Sequence, residues 1–217
     1  MNTEKKNSRR DFVKTSAVFT GGLMATPLLS KANFFSGAED TIKVALIGCG
    51  GRGTGAATQA CSTKQNVKIV AMADAFRDRI DNSYKELTAD AKEGKTSIKN
   101  RIDVPEERKY VGFDAYKKAM AHADVVILTT PPGFRPIHFE EAVKLGKQIF
   151  MEKPVATDPA GIKRVLDAAE IAKQKKLNVV VGLQRHYQNS YRELYAKKDL
   201  IGDILRHRHG GIMMVFG

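Results

Sequence analysis

Short apolar runs alternate with amphipathic stretches along most of the chain. "TIKVALIG" (41–48) is rich in β-branched residues and apolar at odd and even positions alike, which predicts a strand buried on both faces. "VKIVAMAD" (67–74) repeats the pattern and ends in an acid. Further strands are expected near Tyr110, over 124–130 ("DVVILTT"), over 147–151 ("KQIFM") and over 177–183 ("LNVVVGL"). The intervening segments have helical spacing. Ala56, Ala57 and Ala60 share one face of a small-residue helix, and Ile80, Tyr84 and Leu87 point inward from the next. "AYKKAMAHA" forms a third helix, and a fourth runs from about His138 to Leu145, stopping at Gly146. A fifth starts at "TDPAG", with Asp158 as N-cap and Pro159 in the first turn. The stretch 95–113 reads as a polar connection into the third strand. Doubly apolar strands alternating with helices predict an α/β fold: a doubly wound parallel sheet covered on both sides.

No repeat or low-complexity tract interrupts this order. The chain has 217 residues, of which 42% are hydrophobic, enough for a globular core. The net charge is +12, and the first 32 residues carry six basic and two acidic side chains of it. The remainder keeps 30 basic and 22 acidic residues, a balance of +8. These charges are mixed, with no aromatic-interleaved basic stripe, which argues for scattered surface lysines and against a nucleic-acid partner.

The N-terminus, "SRRDFVKTSAVFTGGLMATPLLSKA", pairs Arg9 and Arg10 with Phe12 and Lys14 ahead of a modestly apolar stretch. It resembles a twin-arginine export signal, with a small-residue cleavage site at Ser30-Lys31-Ala32. Residues 1–32 are therefore expected to be a signal peptide read by the twin-arginine machinery, and 33–40 a linker. The location expected is periplasmic or secreted. The apolar stretch is too short and too rich in Gly and Thr for a stable membrane anchor. The two cysteines, Cys49 and Cys61, show neither C-x-x-C nor zinc-ligand spacing with His, and read as small packing residues.

Candidate chemistry starts at "ALIGCGGRGTG" (45–55). Gly48, Gly50 and Gly53 fit G-x-G-x-x-G, directly after a strand and at the start of a helix. In that context Gly48 permits a tight turn, Gly50 lets the backbone approach a pyrophosphate, and Gly53 allows close helix–strand packing. The helix start offers free N–H groups and a positive dipole end to phosphates. Asp74 closes the second strand 21 positions after Gly53, where an acid accepts hydrogen bonds from ribose hydroxyls. It favours NAD over NADP, since a 2′-phosphate would be repelled. Arg77 nearby either counters that preference or is a solvated helix-face charge. The loop residues Cys49, Gly51 and Arg52 join the candidate cofactor-binding set.

"TTPPGFRPIH" follows the fourth strand and "MEKP" the fifth, both at carboxyl ends where open α/β sheets bind ligands. With "GCGGRGTGA", "TPPGFRP" and above all "EKP" (Glu152, Lys153, Pro154), the chain resembles the Gfo/Idh/MocA oxidoreductases from Thr41 to about Asp203. "GLQRHYQNSY" adds a likeness to their exported group. The resemblance implies an NAD(P)-binding Rossmann domain over 41–185. It implies that Lys153 stands beside the nicotinamide and touches the substrate hydroxyl, where an ammonium polarises the oxygen that must lose a proton. It implies that Thr130 and Pro131 line the nicotinamide ribose, that Glu152 holds the cofactor's other edge, and that Pro154 sets a turn, cis in the family. Arg135, Gln184 and Arg185 are weaker substrate candidates, with surface or domain-contact roles equally open. His138 and His186 read as structural.

The family continues into a second α/β domain that supplies the general base and most of the substrate pocket. Residues 186–217 would be a remnant of that domain, and "LRHRHGGIMMVFG" reads as a frameshifted tail. On this reading the chain is the dinucleotide half of an exported NAD-dependent oxidoreductase of a small sugar or polyol, inactive alone, from a parent compatible with homo-oligomers. The alternatives are a glycosidase of the same family that uses NAD without net redox change, and a cofactor-binding module without catalysis.

Overall fold

The computed structural model describes residues 41–90 and 97–201. The expected signal peptide, the linker 33–40 and the frameshift reading of the tail lie outside the described residues. Strands β1 (Ile42–Ile47), β2 (Val67–Asp74), β3 (Lys109–Val111), β4 (Val125–Leu128), β5 (Gln148–Met151) and β6 (Val179–Val181) form one sheet in the order β3-β2-β1-β4-β5-β6. Every neighbouring pair is parallel. The helices between them are α1 (Gly51–Cys61), α2 (Arg77–Thr88), α3 (Ala115–Met120), α4 (Arg135–Lys144) and α5 (Pro159–Gln174), with α6 (Gln184–Tyr187) and α7 (Asn189–Ala196) after β6. This is the doubly wound Rossmann arrangement. Its strand order reverses between β1 and β4, which opens a crevice at the carboxyl ends of those strands.

Strand alternation divides the core between the two faces. Val44 and Leu46 of β1 pack with Ala56, Ala57 and Cys61 of α1 and Ile80 and Leu87 of α2. Ala45 and Ile47 pack with Ala119 and Met120 of α3, Phe139 and Val143 of α4 and Val165 of α5. Burial on both faces is why these strands carry no polar alternation. Alanine at 56 and 57 leaves little side chain between α1 and the sheet, so the glycine loop lies close against the strand ends.

Three expectations are corrected at element level. The 97–108 connection is not simply polar: Ile98 and Val104 are buried, Ile102 bridges to Ile69, and Asp103 N–H donates to Ile69 O at 2.8 Å. Helix α4 starts at Arg135, three residues earlier than its apolar spacing suggests, because Pro136 is tolerated in a first turn. The outer strand β6 is confined to Val179–Val181. The N-cap of α5 is as expected, with Asp158 accepting from Gly161 N–H at 2.7 Å. Among the described residues no helix is long and apolar enough to cross a membrane.

Candidate functional site

The glycine loop is built by contact with the β4 end. Gly48 has φ +95°, and a Cβ there would lie 2.6 Å from Thr130 N. A Cβ on Gly53 would lie 1.9 Å from Gly48 O and 2.7 Å from Thr129 Oγ1. Both positions therefore exclude a side chain, one through conformation and closeness, the other through closeness alone. Thr129 Oγ1 donates to Gly48 O at 2.7 Å, closing the contact. Gly50 is different: a Cβ there would meet nothing within 4 Å. It is the N-cap of α1 and makes no side-chain cap, and the hydrogen-bond ladder begins with Thr54 N–H donating to Gly50 O at 2.9 Å. The N–H groups of the three residues before Thr54 have no acceptor within the helix and remain for a ligand.

Asp74 fixes this loop from β2. Its Oδ2 accepts from Cys49 N–H at 2.7 Å and its Oδ1 from Phe76 N–H at 3.1 Å. A carboxylate has about four acceptor sites, so capacity remains toward the groove. Cys49 itself lies behind the wall with its thiol near Ala73 O, and burial together with the Asp74 charge pushes that thiol well above its usual range. Burial also pushes Cys61 up, to about 11; both thiols are free and act as packing groups. Arg77 turns away, donating to Asp81 at 3.0 Å and also to Glu106, on an exposed surface. The structure thus places Arg77 among the solvated helix-face charges.

At the β5 end, Glu152 is only 6% exposed and packs against Gly182, where a Cβ would lie 2.7 Å from Glu152 Oε1. Its carboxylate accepts from Arg52 Nε at 2.8 Å and also from Arg52 Nη2. Arg52, half-exposed in the first turn of α1, thereby reaches the end of β5. Lys153 follows, exposed, with a cis peptide bond to Pro154. Among the described residues it makes no hydrogen bond or ion pair, and nothing there removes it from water.

One groove of about 930 Å³ takes in Gly48, Gly50, Gly51 and Arg52, then Asp74, Thr130 and Pro131, and finally Glu152, Lys153 and Gln184. Gly53 and Cys49 lie outside its lining and act by packing. The two weak arginine candidates each have a partner within the chain. Arg135 lines the groove but is only 2% exposed, and its guanidinium donates to Thr130 O and Pro154 O, bracing the loops after β4 and β5. Arg185 lies 5.1 Å over the Tyr191 ring, away from the groove lining. His138, expected to be structural, lines the groove and is buried against Tyr116, and it shares a 3.0 Å hydrogen bond between Nδ1 and Thr130 Oγ1. Burial, with a smaller push from Arg135, lowers its pKa to about 4. His186 is exposed on α6.

Sequence reasoning missed an apolar wall. Phe76, just before α2, Phe113, Tyr116 and Phe134 line the groove, with the charged Arg79 of α2 beside them, and the Phe113 and Phe134 rings stack at 5.9 Å. Phe76 and Phe113 are 62% and 70% exposed, unusual for such large apolar side chains. Their place just after β2 and β3 was the available signal.

The sequence model of the Gfo/Idh/MocA oxidoreductase family, NAD-binding Rossmann fold, matches residues 42–183. Inositol 2-dehydrogenase of Gluconacetobacter diazotrophicus is 29% identical over 169 residues, covering 76% of this chain and 44% of that protein. A glycosyl hydrolase family 109 protein of Shewanella pealeana is 27% identical over 183 residues, covering 76% of this chain and 37% of its own length. The crystal structure of scyllo-inositol dehydrogenase from Lactobacillus casei, with bound NAD(H) and scyllo-inositol, superposes with a TM-score of 0.56 at 24% identity, over 76% of this chain and 43% of that one. The chain thus spans less than half the length of these relatives. With the strand order, the glycine loop and the acid after β2 already in place, the family match settles the assignment: this chain belongs to the Gfo/Idh/MocA oxidoreductases, and residues 42–183 are their NAD-binding Rossmann domain.

Proposed function

We propose that this chain holds NAD across the carboxyl ends of β1, β2, β4 and β5, as the dinucleotide half of an oxidoreductase acting on a ring hydroxyl of a cyclitol, sugar or polyol. The observation that carries this is the single groove joining the open start of α1, Asp74 and Lys153. The residues fit the cofactor. Open space over Gly50 and free first-turn N–H groups suit a pyrophosphate, and Asp74 suits ribose hydroxyls while repelling a 2′-phosphate. Arg52, Thr130, Pro131 and Glu152 would enclose the middle of the molecule. Bound NAD supplies a hydride acceptor for the carbinol carbon. Lys153 would hold the substrate oxygen through its ammonium as that oxygen gives up its proton to a base. Gln184, at the same end, would add a neutral hydrogen-bonding group. The inositol dehydrogenases among the relatives support a small polyhydroxylated substrate. Export by the twin-arginine route belongs to the same proposal and rests on the sequence of residues 1–32.

The family 109 glycosyl hydrolase relative supports a second reading, NAD used for transient oxidation within a glycosidase. Release of free NADH with substrate marks the dehydrogenase; glycoside cleavage without it marks the hydrolase.

Calorimetric titration tests the cofactor site directly. NAD should bind the wild-type chain, and Asp74→Ala should weaken it by about tenfold or more (~1.4 kcal/mol). Equal affinities would remove Asp74 from the site, and tighter binding of NADP would overturn the cofactor assignment.

A further inference from the structure

We propose that Arg135 is a positioning residue that ties the loop after β4 to the loop after β5 and so sets where Lys153 stands in the groove. This rests on the reading of that groove as the NAD site. Arg135 opens α4, and its buried guanidinium reaches two carbonyls: Nη2 donates to Thr130 O and Nη1 to Pro154 O. Thr130 ends the segment leaving β4, and Pro154 is the residue after Lys153. One planar group therefore spans both loops, which a lysine's point charge cannot do in the same geometry.

The surrounding contacts make α4 a fixed support. His138, one turn further on, holds Thr130 Oγ1, so Thr130 is held at both its carbonyl and its hydroxyl. Helix α5 presses on the same first turn: a Cβ on Gly161 would lie 3.2 Å from Pro136 Cγ and 3.1 Å from Ala156 Cβ. Lys153 makes no hydrogen bond of its own among the described residues and is held through its neighbours: Glu152 N–H donates to Leu128 O at 3.0 Å on one side, and Pro154 O accepts from Arg135 on the other.

Stability alone explains this arginine poorly. Its Nε is buried without a hydrogen-bond partner among the described residues. Burial works against the charge and the Glu152 carboxylate offsets only part of that. A buried cation left partly unpaired costs stability, and an unbranched apolar chain would fill the same space. What methionine would not supply is the pair of carbonyl bonds.

Lys153 is exposed, so an amine-reactive reagent read by peptide mass spectrometry reports on it. In the wild-type chain, saturating NAD should slow labelling of Lys153 by about tenfold, since a seated ligand covers most of its contact surface. Labelling of Lys163, on α5 outside the groove, serves as the reference. In Arg135→Lys and Arg135→Met, NAD should still bind within about threefold of wild type, while protection of Lys153 falls to less than about twofold. Undiminished protection in both variants overturns the proposal and leaves the NAD site standing. Failure of NAD to bind wild type, or to protect Lys153 there, removes that site and the proposal with it. Should Arg135→Met lose its cooperative melting, Arg135→Lys decides. Loss of NAD binding in a folded Arg135→Lys, or unfolding of both variants, assigns Arg135 to affinity or stability and overturns the proposal.

Discussion

At the carboxyl end of β4, a buried imidazole holds a threonine hydroxyl, and its protonation state follows from where it sits. His138 is 6% exposed, packed at a tilt against the Tyr116 ring, and shares its helix with the Arg135 cation. Both surroundings disfavour the imidazolium, which lowers its pKa from 6.5 to about 4. In the unfolded chain His138 takes up a proton as the pH falls through 6.5; in the folded chain it resists until about 4. The unfolded state therefore binds more protons across that window, and stability falls as the pH drops from 6.5 to 4. The loss amounts to about 3 kcal/mol at most. Above pH 6.5 both states are neutral at this residue and it contributes no slope. Urea midpoints at pH 7 and pH 4.5 check this: His138→Gln should lose much less stability than wild type on acidification. An unchanged pH slope in the variant would place the acid sensitivity elsewhere.

Among elements, α5 shows how a local signal fixes a boundary that tertiary packing then uses. Asp158 has extended backbone and its side chain accepts from Gly161 N–H, while Pro159 occupies the first turn, where its missing N–H costs nothing. The helix then buries Val165, Ala168 and Ala172 against the sheet. Asp158→Ala should lower stability by about 1 kcal/mol, read as a reduced urea midpoint with an unchanged denaturant slope. NAD affinity should hold, because the cap lies outside the groove; a changed slope would show that more than the cap is lost. The partner surface of α5 includes the start of α4. This is why Gly161 tolerates no larger residue without movement of Pro136 or Ala156. The helix that carries Arg135 and His138 is thus held by its neighbour as well as by the sheet.

For the molecule as a whole, charge and topology act on different questions. Among the described residues most of the ion pairs join exposed side chains, several of them at i,i+3 or i,i+4, and such pairs contribute little to stability. The net charge of +12 bears on association, with part of it concentrated ahead of residue 33. If residues 1–32 are the export signal we propose, fusing them to a folded reporter should carry it across the bacterial inner membrane. Replacing Arg9 and Arg10 together by lysine should abolish transport. Continued export of the double-lysine fusion would disprove twin-arginine recognition. Topology places the groove. The reversal of strand order between β1 and β4 leaves the loops after both strands facing one crevice, and β2 and β5 on either side supply Asp74 and Glu152.

The alternation of apolar strands and amphipathic helices, the positions of the glycines, the acid ending β2 and the Asp158 cap could be read from the sequence. Each depends on neighbours within a turn or a strand, where residue type and period carry the information. The jobs expected of Gly48 and Gly53 follow from the same source, since only a residue without a Cβ permits those approaches. Contacts between distant segments were not legible. Arg52 and Glu152 stand 100 positions apart and meet only because α1 follows β1 while β5 lies two strands away in the sheet. The sequence offers Arg135 only as a weak substrate candidate after the fourth strand, with surface or domain-contact roles open. Starting α4 three residues early turned it inward, toward carbonyls from two different loops. Ile98 and Val104 sit in a segment whose composition is polar, and the open edge of β2 near Ile69 draws them into the core. Periodicity determines which face of an element is apolar. Which elements those faces meet, and which side chains are brought to one groove, is decided by strand order and packing.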